Sequence, residues 1–413
     1  MGRAEAARAA NALGERWVAE ADHRRGTVLM PAGVWPLLGL LAPAGSPAVR
    51  AELAQALGLP GAAAAERARE LLGLLQDIPA VRSALGVWSG DGLRLRPEWL
   101  VGVPADLVGR LSGDADRDRA LLDGWAAERT GGAIDAVPVA LTPDTRLVLA
   151  AALTVRTDWI KPFDDLGGYR EPDPAGWGRR VHQLSRMTPL LDRAALLEAP
   201  DGPVTELRVL GRGDISVHLL LGEPDTAPGR VLAAGIGVLA QRYRRTTADR
   251  LPVGTPGPGL TIESRRRYVP QDALVVGVPQ FTVEADHDLL ARRGLFGLET
   301  LGTASPTEDR LPGLSGGTER LFVSSARQRA TATFGARGFR AASVTALGIA
   351  VTGAGGIRRP PHLQRIVEVG FDRPFGFLAV HRLSGLVLAA GWVTDPDAGV
   401  DPWEVRWEDP AED

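Results

Sequence analysis

The stretch from Ala336 to Phe375, ARGFRAASVTALGIAVTGAGGIRRPPHLQRIVEVGFDRPF, decides how the rest of the chain is interpreted. It opens with a glycine, Gly338, continues in small and β-branched residues, passes a Gly-rich tip and a Pro-Pro pair, and returns as an alternating strand. A loop of this length inside a compact domain is normally either functional or disordered. The apolar, β-capable residues from Ala341 to Val351 argue against disorder. The stretch therefore predicts an exposed loop with strand character. Its backbone N–H and C=O groups would be unpaired and able to pair with another strand.

Around this stretch, helical patterns dominate the first part of the chain and strand patterns dominate the last part. The predicted helices cover 5–21, 34–41, 46–57, 66–75, 97–111, 118–129 and 231–242. The predicted strands cover 83–89, 146–157, 204–209, 215–221, 274–283, 321–334, 365–371, 377–381 and 387–393. Because no regular βαβ alternation occurs, this order favours an α+β fold. No linker divides the chain, so we expect one domain over 1–398, followed by an acidic tail over 399–413.

Composition excludes several functional classes. The net charge of −3 gives no electrostatic reason to expect nucleic-acid binding. The chain has no cysteine, hence no disulfide framework, thiolate nucleophile or zinc ribbon. Lys161, the only lysine, lies in WIKPF and does not follow the glycines of a P-loop. We therefore expect no cofactor.

The sequence also carries no membrane or export signal. The first residues, MGRAEAARAANALGERW, have no apolar h-region. The longest apolar run, from Met30 to Ala44, is too short to span a bilayer and contains three prolines. These features predict a soluble, cytoplasmic monomer without membrane contact, or a secreted protein if a leader precedes this sequence.

The catalytic motifs in the sequence lack the flanking secondary structure that each of them requires. Ser315 lies in a G-x-S-x-G pattern, but a polar, Pro-containing segment precedes it and a strand-like segment follows, so we expect a turn. The glycines Gly235 and Gly237 resemble a dinucleotide fingerprint but lie inside a helical pattern. The six histidines are scattered, and no metal site is expected. The sequence predicts a protein that is not an enzyme.

Several segments resemble the serpin family, and the resemblance extends over nearly the whole chain. The stretch from Leu147 to Phe163, LVLAAALTVRTDWIKPF, is similar to the family's central strand and the Trp-x-x-Pro-Phe after it. The stretch LDGWAAERTGGAI resembles the preceding helix and turn, and FDRPF with the residues through Pro396 resembles the C-terminal signature. The chain is thereby identified as a divergent, bacterial-type member. The resemblance implies three β-sheets, about nine helices and an exposed reactive-centre loop.

The family's inhibitory mechanism gives the loop its implied role. A protease attacks the loop and forms an acyl-enzyme, after which the N-terminal part of the loop inserts into the main sheet. The resemblance identifies a hinge formed by Gly338, Phe339, Arg340, Ala341, Ala342 and Ser343. Gly338 supplies a permissive backbone. An inserting strand presents alternate side chains to the interior, beginning with Phe339.

Two features of the sequence depart from the family pattern. Phe339 and Arg340 replace residues that are usually small and acidic, respectively. A bulky side chain that enters a core without prepared space costs about 1–3 kcal/mol, so Phe339 predicts slow insertion. The polar cluster beneath the main sheet is also largely absent, because Met30, Gly33, Ala151 and Gln328 occupy its positions. Trp159, at the top of the sheet, is retained.

The loop offers three cleavage sites. Counting from the hinge favours the bond near Val351, Thr352 and Gly353, which suits an elastase- or subtilisin-like serine protease. Arg358 would attract a trypsin-like enzyme, and counting back from FDRPF gives Leu363. The leading hypothesis is a serine protease inhibitor. The alternative is a non-inhibitory binding or scaffold protein with the same fold, favoured by Phe339 and by the missing polar cluster.

Overall fold

A computed structural model describes residues 2–101, 103–137, 139, 141, 145–166, 176–268, 270–339 and 361–399. Most of the helices in these residues precede the central strand. The α-helices are α1 (Gly2–Glu20), α2 (Pro31–Leu41), α3 (Pro47–Leu57), α4 (Gly61–Asp77), α5 (Pro97–Leu100), α6 (Ala115–Thr130), α7 (Pro228–Leu239) and α8 (Arg293–Phe296). Short 3-10 helices cover Ala42–Ala44, Ala105–Leu107, Leu191–Arg193 and Leu289–Arg292.

Local capping chemistry fixes the ends of the longer helices. Ser46 precedes α3 and its hydroxyl accepts a hydrogen bond from the Val49 backbone N–H, while Gly58 ends the helix with a φ of 71°. Asp114 caps α6 in the same way, and Gly131 ends it with a φ of 63°. The predicted start and stop of α3 are thus confirmed.

Three sheets form the β part of the described structure. The core sheet contains β1 (Thr27–Leu29), β8 (Ala194–Ala199), β9 (Gly202–Leu210), β10 (Ile215–Leu221), β11 (Arg244–Thr247), β18 (Phe375–His381) and β19 (Leu386–Val393). Their order is β1-β19-β18-β10-β9-β8-β11, and every pair is antiparallel. The five-stranded sheet contains β6 (Asp164–Asp165), β7 (Gln183–Thr188), β12 (Leu260–Arg267), β13 (Ala273–Pro279) and β17 (His362–Gly370), in the order β12-β17-β13-β7-β6.

The main sheet carries the central strand that the sequence predicts. It contains β2 (Val81–Ser89), β3 (Val108–Arg110), β4 (Leu147–Val155), β5 (Thr157–Asp158), β14 (Phe281–Asp288), β15 (Ser325–Phe334) and β16 (Gly338–Phe339). Their order is β3-β2-β4-β15-β16-β5, with β14 beside β15. All nine residues of β4 are buried. Helix α2, whose eleven residues are all buried, packs beneath β2 and β4.

Two predicted elements are wrong, and prolines account for both. The helix predicted over 97–111 ends after one turn at Leu100, and β3 begins at Val108. Pro104 lacks the N–H that a continuing helix requires. The strand predicted over 274–283 is two strands in different sheets, separated at Gln280 directly after Pro279. The α+β class and the three sheets are confirmed.

A buried charge network joins three strands of the core sheet. Glu206 on β9 is 2% exposed. Its carboxylate bonds His218 Nδ1 at 2.6 Å and accepts a hydrogen bond from Arg245 Nε on β11. Burial opposes ionisation of Glu206, but attraction by His218 and Arg245 outweighs it and lowers the pKa of Glu206 to about 2. The ionised carboxylate therefore stabilises the folded sheet.

We expect Glu206→Gln to lower the free energy of unfolding at pH 7 by about 3–5 kcal/mol, because it removes a buried anion and leaves the half-buried Arg245 without its partner. The folded-state pKa of Glu206 lies below its ordinary value of 4.5. Its stabilisation is therefore present above pH 4.5 and lost as the pH falls towards 2. Denaturant titrations at pH 7 and at pH 3 should show a smaller difference between variant and parent at pH 3.

The matched control is Glu198→Gln in the neighbouring strand β8. Glu198 and its partner Arg244 are both exposed, with side chains 57% and 74% accessible. We expect this change to cost less than about 1 kcal/mol at either pH. An equal loss for the two variants at pH 7 would contradict the role given to Glu206.

Candidate functional site

The main sheet opens where β15 leads into the predicted loop. The parallel pairing of β15 with β4 runs only from Ser325 to Arg329 on β15. Beyond it, β16 lies between β15 and β5, with Phe339 opposite both Phe334 and Thr157 in antiparallel register. The first two hinge residues therefore already form a short strand inside the main sheet.

Gly338 allows the close backbone approach that this strand requires. A Cβ at this position would lie 2.3 Å from the carbonyl oxygen of Thr157 and 3.2 Å from Asp158 Cα. Gly338 is not among the glycines with positive φ. In this state the glycine is needed for space, rather than for the conformational freedom that the sequence suggested.

Phe339 is buried in an aromatic cluster where the main sheet meets the core sheet. Its side chain is 1% exposed, and its ring centroid lies 6.0 Å from that of Phe377 in an edge-on contact. Phe281 and Phe334 stack in the same region with centroids 5.5 Å apart. The expectation that Phe339 meets a core without prepared space is wrong, because the ring is already packed in this aromatic cluster.

Trp159 holds the turn that connects β15 to β16. Its indole Nε1 donates to the Gly335 carbonyl at 2.9 Å, and its backbone N–H donates to the Arg337 carbonyl at 2.9 Å. The Phe163 N–H donates to the carbonyl between them, that of Ala336, at 2.8 Å. Three consecutive carbonyls are thus fixed by one segment after β5. Trp159, which the resemblance located at the top of the sheet, is 2% exposed and anchors the hinge.

The structure brings together the four residues at the positions of the polar cluster. Gln328 on β15 lies opposite Ala151 on β4. Its side-chain oxygen accepts from the Met30 N–H and its nitrogen donates to the Met30 carbonyl, both at 2.9 Å. A Cβ on Gly33 would lie 3.5 Å from the Gln328 amide nitrogen. Since Ala151 contributes only a methyl group, this polar contact ties β15 to α2 and not to β4.

His287 is a second polar residue beside Gln328, and the sequence pattern did not identify it as part of this cluster. It lies opposite Gln328 on β14, and its Nε2 donates to the Val28 carbonyl at 2.8 Å. Burial lowers the pKa of His287, although the bond to Val28 opposes the shift. The neutral ring also packs edge-on against Trp17, with centroids 5.1 Å apart. Gln328 and His287 together hold the backbone that leads into α2.

The structure describes only part of the predicted loop. Eight candidate residues lie outside the described part of the chain: Arg340, Ala341, Ala342, Ser343, Val351, Thr352, Gly353 and Arg358. Leu363 is described, and it lies in β17 opposite Arg266 of β12. A strand whose backbone is paired on the sheet offers a protease little access, which disfavours cleavage at Leu363.

The remaining sequence motifs have structural roles. Ser315 is 3% exposed, and its hydroxyl donates to the Arg94 carbonyl at 3.1 Å within a turn. Gly235 lies in α7, where a Cβ would come within 2.5 Å of Leu220 on the core sheet. The predicted turn and the predicted helix packing are confirmed.

One arrangement has the hydrogen-bond order of a catalytic triad. Ser216 Oγ lies 2.9 Å from His218 Nε2, and His218 Nδ1 lies 2.6 Å from Glu206. A nucleophile must reach a substrate, but Ser216 is 1% exposed on an interior strand of the core sheet. The geometry supports structural hydrogen bonding rather than catalysis.

The described residues contain neither a cluster of metal ligands nor a helix suited to a membrane. No group of three or more His, Asp or Glu side chains in this part of the chain is arranged to hold a metal ion. Of the helices that the structure describes, none combines the length and the hydropathy that a membrane crossing needs.

The described structure is an α+β protein with three sheets, in which Gly338 and Phe339 form a short strand between β15 and β5. The family model described as serpin (serine protease inhibitor) matches residues 10–170. Two proteins of Oryza sativa subsp. japonica are 25% identical to this chain. Serpin-Z6C aligns over 84% of this chain and 80% of its own length, and serpin-Z12 over 90% and 86%. Because these relatives are plant proteins, the bacterial-type assignment stays a prediction.

Solved structures agree on the fold. A complex of thyroxine-binding globulin with thyroxine has a TM-score of 0.67 at 16% identity, covering 96% of this chain and 99% of that one. Native protease nexin-1 with heparin has a TM-score of 0.65, at the same identity and coverage. This chain therefore has the serpin fold.

The hinge geometry predicts that Gly338→Ala is destabilising. The added methyl group would overlap the Thr157 carbonyl, and relief requires a backbone shift that costs about 1–3 kcal/mol. The free energy of unfolding, measured by denaturant titration, should fall by this amount. Proteolysis of the loop should become faster as β16 leaves the sheet.

Gly335→Ala provides the matched control in the same turn. A Cβ there would meet only the Gln280 side-chain oxygen, at 3.4 Å, and the Gly338 carbonyl, at 4.0 Å. We expect little change in stability or in proteolysis. If both variants behave alike, close backbone packing at Gly338 does not hold the hinge.

Proposed function

We propose that the protein inhibits serine proteases as a suicide substrate. The position of β16 carries the proposal, because the hinge already forms the first residues of a strand between β15 and β5. A protease that cleaves the loop would form an acyl-enzyme, and the freed segment would extend β16 along β15 with the protease attached. On the sequence alone, we assign this activity to a monomer in the cytoplasm.

Backbone pairing supplies part of the driving force. The present contact between β15 and β4 is parallel, from Ser325 opposite Val148 to Arg329 opposite Ala152. Parallel pairing is slightly less stable per residue than antiparallel pairing. An inserted strand would be antiparallel to both neighbours, as β16 already is. Insertion would thus replace one parallel ladder with two antiparallel ladders.

The buried ring of Phe339 indicates which loop side chains would face inward. Because side chains alternate along a strand, Ala341 and Ser343 would follow it. Continuing the register between Phe334 and Phe339 would bring them opposite Ala332 and Ala330, which are 3% and 0% exposed. Small residues would then face small residues, which favours insertion without overpacking.

We propose that cleavage occurs at 351–353, with Thr352 supplying the acyl group. In the continued register, Ser325 at the start of β15 would lie opposite Gly348. A cut after Thr352 would therefore free a strand long enough to pair with all of β15. The small apolar residues before this bond suit an elastase- or subtilisin-like protease, whereas Arg358 would suit a trypsin-like one.

A binding or scaffold function is the second candidate. The reduction of the polar cluster to Gln328 and His287 favours it, because this region lies where β15 and β4 must separate. Thyroxine-binding globulin, which shares the fold, is a binding protein by its name. In this case the loop would be cut without insertion.

A comparison of intact and nicked protein separates the two candidates. Limited subtilisin digestion should cut the loop near Thr352, as mass spectrometry of the fragments would show. Insertion should raise the melting temperature by more than about 10 °C, or several kcal/mol for a chain of this size. If the nicked protein melts at the same temperature as the intact one, the inhibitory proposal is contradicted.

Two arginine variants test whether the rise comes from insertion. Ala341→Arg would force a charge into the interior of the extended strand, whereas Ala342→Arg would point to the opposite face. We expect Ala341→Arg to abolish the rise in melting temperature and the formation of a covalent protease complex. Ala342→Arg should retain both. Equal behaviour of the two variants would argue against the proposed strand register.

A further inference from the structure

A cavity of about 390 Å³ lies on one face of the five-stranded sheet. Its lining includes Trp177, Val181, Gln183 and Phe371, together with backbone of β13 and β17. The Trp177 ring is half-buried, and its Nε1 donates to the Phe371 carbonyl at 2.9 Å. The cavity therefore has an aromatic wall that is already fixed in place.

The floor of the cavity consists largely of backbone, because glycines occupy most of its positions. Gly277 on β13 lies opposite both Gly370 on β17 and Ser185 on β7. The Gly370 N–H donates to the Gly259 carbonyl at 2.9 Å. Three glycines and a serine thus lie at one level across neighbouring strands. This leaves room for a large side chain above exposed backbone.

Gln183 indicates that the cavity receives a polar group. Its side chain lines the cavity and the residue is 8% exposed. Neither amide atom is among the fully buried side-chain atoms that lack a partner in the described residues, so the amide stays accessible from the cavity. An occupant with a hydrogen-bond donor or acceptor could pair with it.

The C-terminal segment leaves the described structure at the wall of this cavity. Ala398 forms an antiparallel bridge with Val181, which belongs to the lining. The Gly399 N–H donates to the Arg180 carbonyl at 3.3 Å, and the His182 N–H donates to the Asp397 carbonyl at 2.8 Å. The next residues of the chain therefore start beside the cavity.

Those residues, VDPWEVRWEDPAED over 400–413, have one apolar face when extended. Trp403, Val405 and Trp407 alternate with charged residues, as in a strand that covers a sheet. Trp403 is four residues beyond Gly399, so it can reach about 14 Å from that point. The tail thus carries large aromatic side chains within reach of the cavity.

We propose that the C-terminal tail docks on the five-stranded sheet with the Trp403 side chain in this cavity. The indole would pack beside Trp177, and its N–H would donate to the Gln183 side-chain oxygen. The docked tail would shield the backbone at Gly277 and Gly370. It would also brace β17, the strand that follows the loop.

The segment 167–175, GGYREPDPA, is the other candidate occupant, because Leu166 and Gly176 on either side of it belong to the lining. It carries a single aromatic side chain, Tyr169. The tail, which like this segment contains two prolines, offers two indoles in an alternating pattern, and for this reason we prefer it as the occupant.

Tryptophan quenching of a bimane label tests the proposal in the full-length protein. Because the chain has no cysteine, Thr261→Cys gives a single labelling site on the exposed rim of the cavity. We expect removal of 400–413, and also Trp403→Phe, to increase the emission of this label. A synthetic 400–413 peptide should restore quenching of the truncated protein.

Ser264→Cys is the matched control, since Ser264 is exposed on the same strand and an odd number of residues away, on the opposite face. Its label should not respond to the tail. Unchanged emission at Thr261→Cys after truncation, or an equal change at both labels, overturns the proposal. An increase that follows Tyr169→Ala but not truncation assigns the cavity to 167–175 and also overturns it.

Discussion

The fold depends on the parallel pair of β4 and β15, which is hydrogen-bonded along only part of its length. β4 and β15 pair directly along five residue positions, and β16 lies beside β15 beyond them. Gly338 permits the close approach to β5, Phe339 fills the aromatic cluster, and Trp159 fixes the intervening turn. These contacts stabilise the two-residue strand β16 between β15 and β5.

In the proposed mechanism, the resistance to insertion would come from the paired residues of β15 and β4 and not from Phe339. The sequence pointed to Phe339 as the obstacle, but its burial moves the question to the place where β15 and β4 are still paired. Gln328 lies there, and its two hydrogen bonds to Met30 tie β15 to α2. These two bonds join β15 to the residue directly before α2, and Ala151 on β4 contributes no polar group to them. The described part of the polar cluster therefore ties β15 to α2 and not to β4.

Local chemistry explains why much of the fold could be predicted. Ser46 and Gly58 mark the ends of α3, and the continuous apolar run of β4 indicates a strand buried on both faces. The housing of Phe339 could not be predicted, because it depends on Phe377 and Phe334, which only the tertiary fold brings together. β12 escaped prediction because its exposed Arg265, Arg266 and Arg267 hide the alternation that defines a strand. The cavity on the five-stranded sheet could not be predicted either, since it arises from glycines on separate strands.

The strands at the two ends of the loop are paired to different extents, and in the proposed mechanism this asymmetry would determine which half moves. On the C-terminal side, β17 is paired on both edges, with β12 along eight residues and with β13 along five. On the N-terminal side, β16 contributes only two residues to the main sheet. Cleavage between these ends would leave β17 in place, because removing it would break two ladders. The N-terminal half would be released from its tether and could extend the strand it has already begun. The metastability implied by the family would therefore reside in the tether, and a single peptide bond would control it.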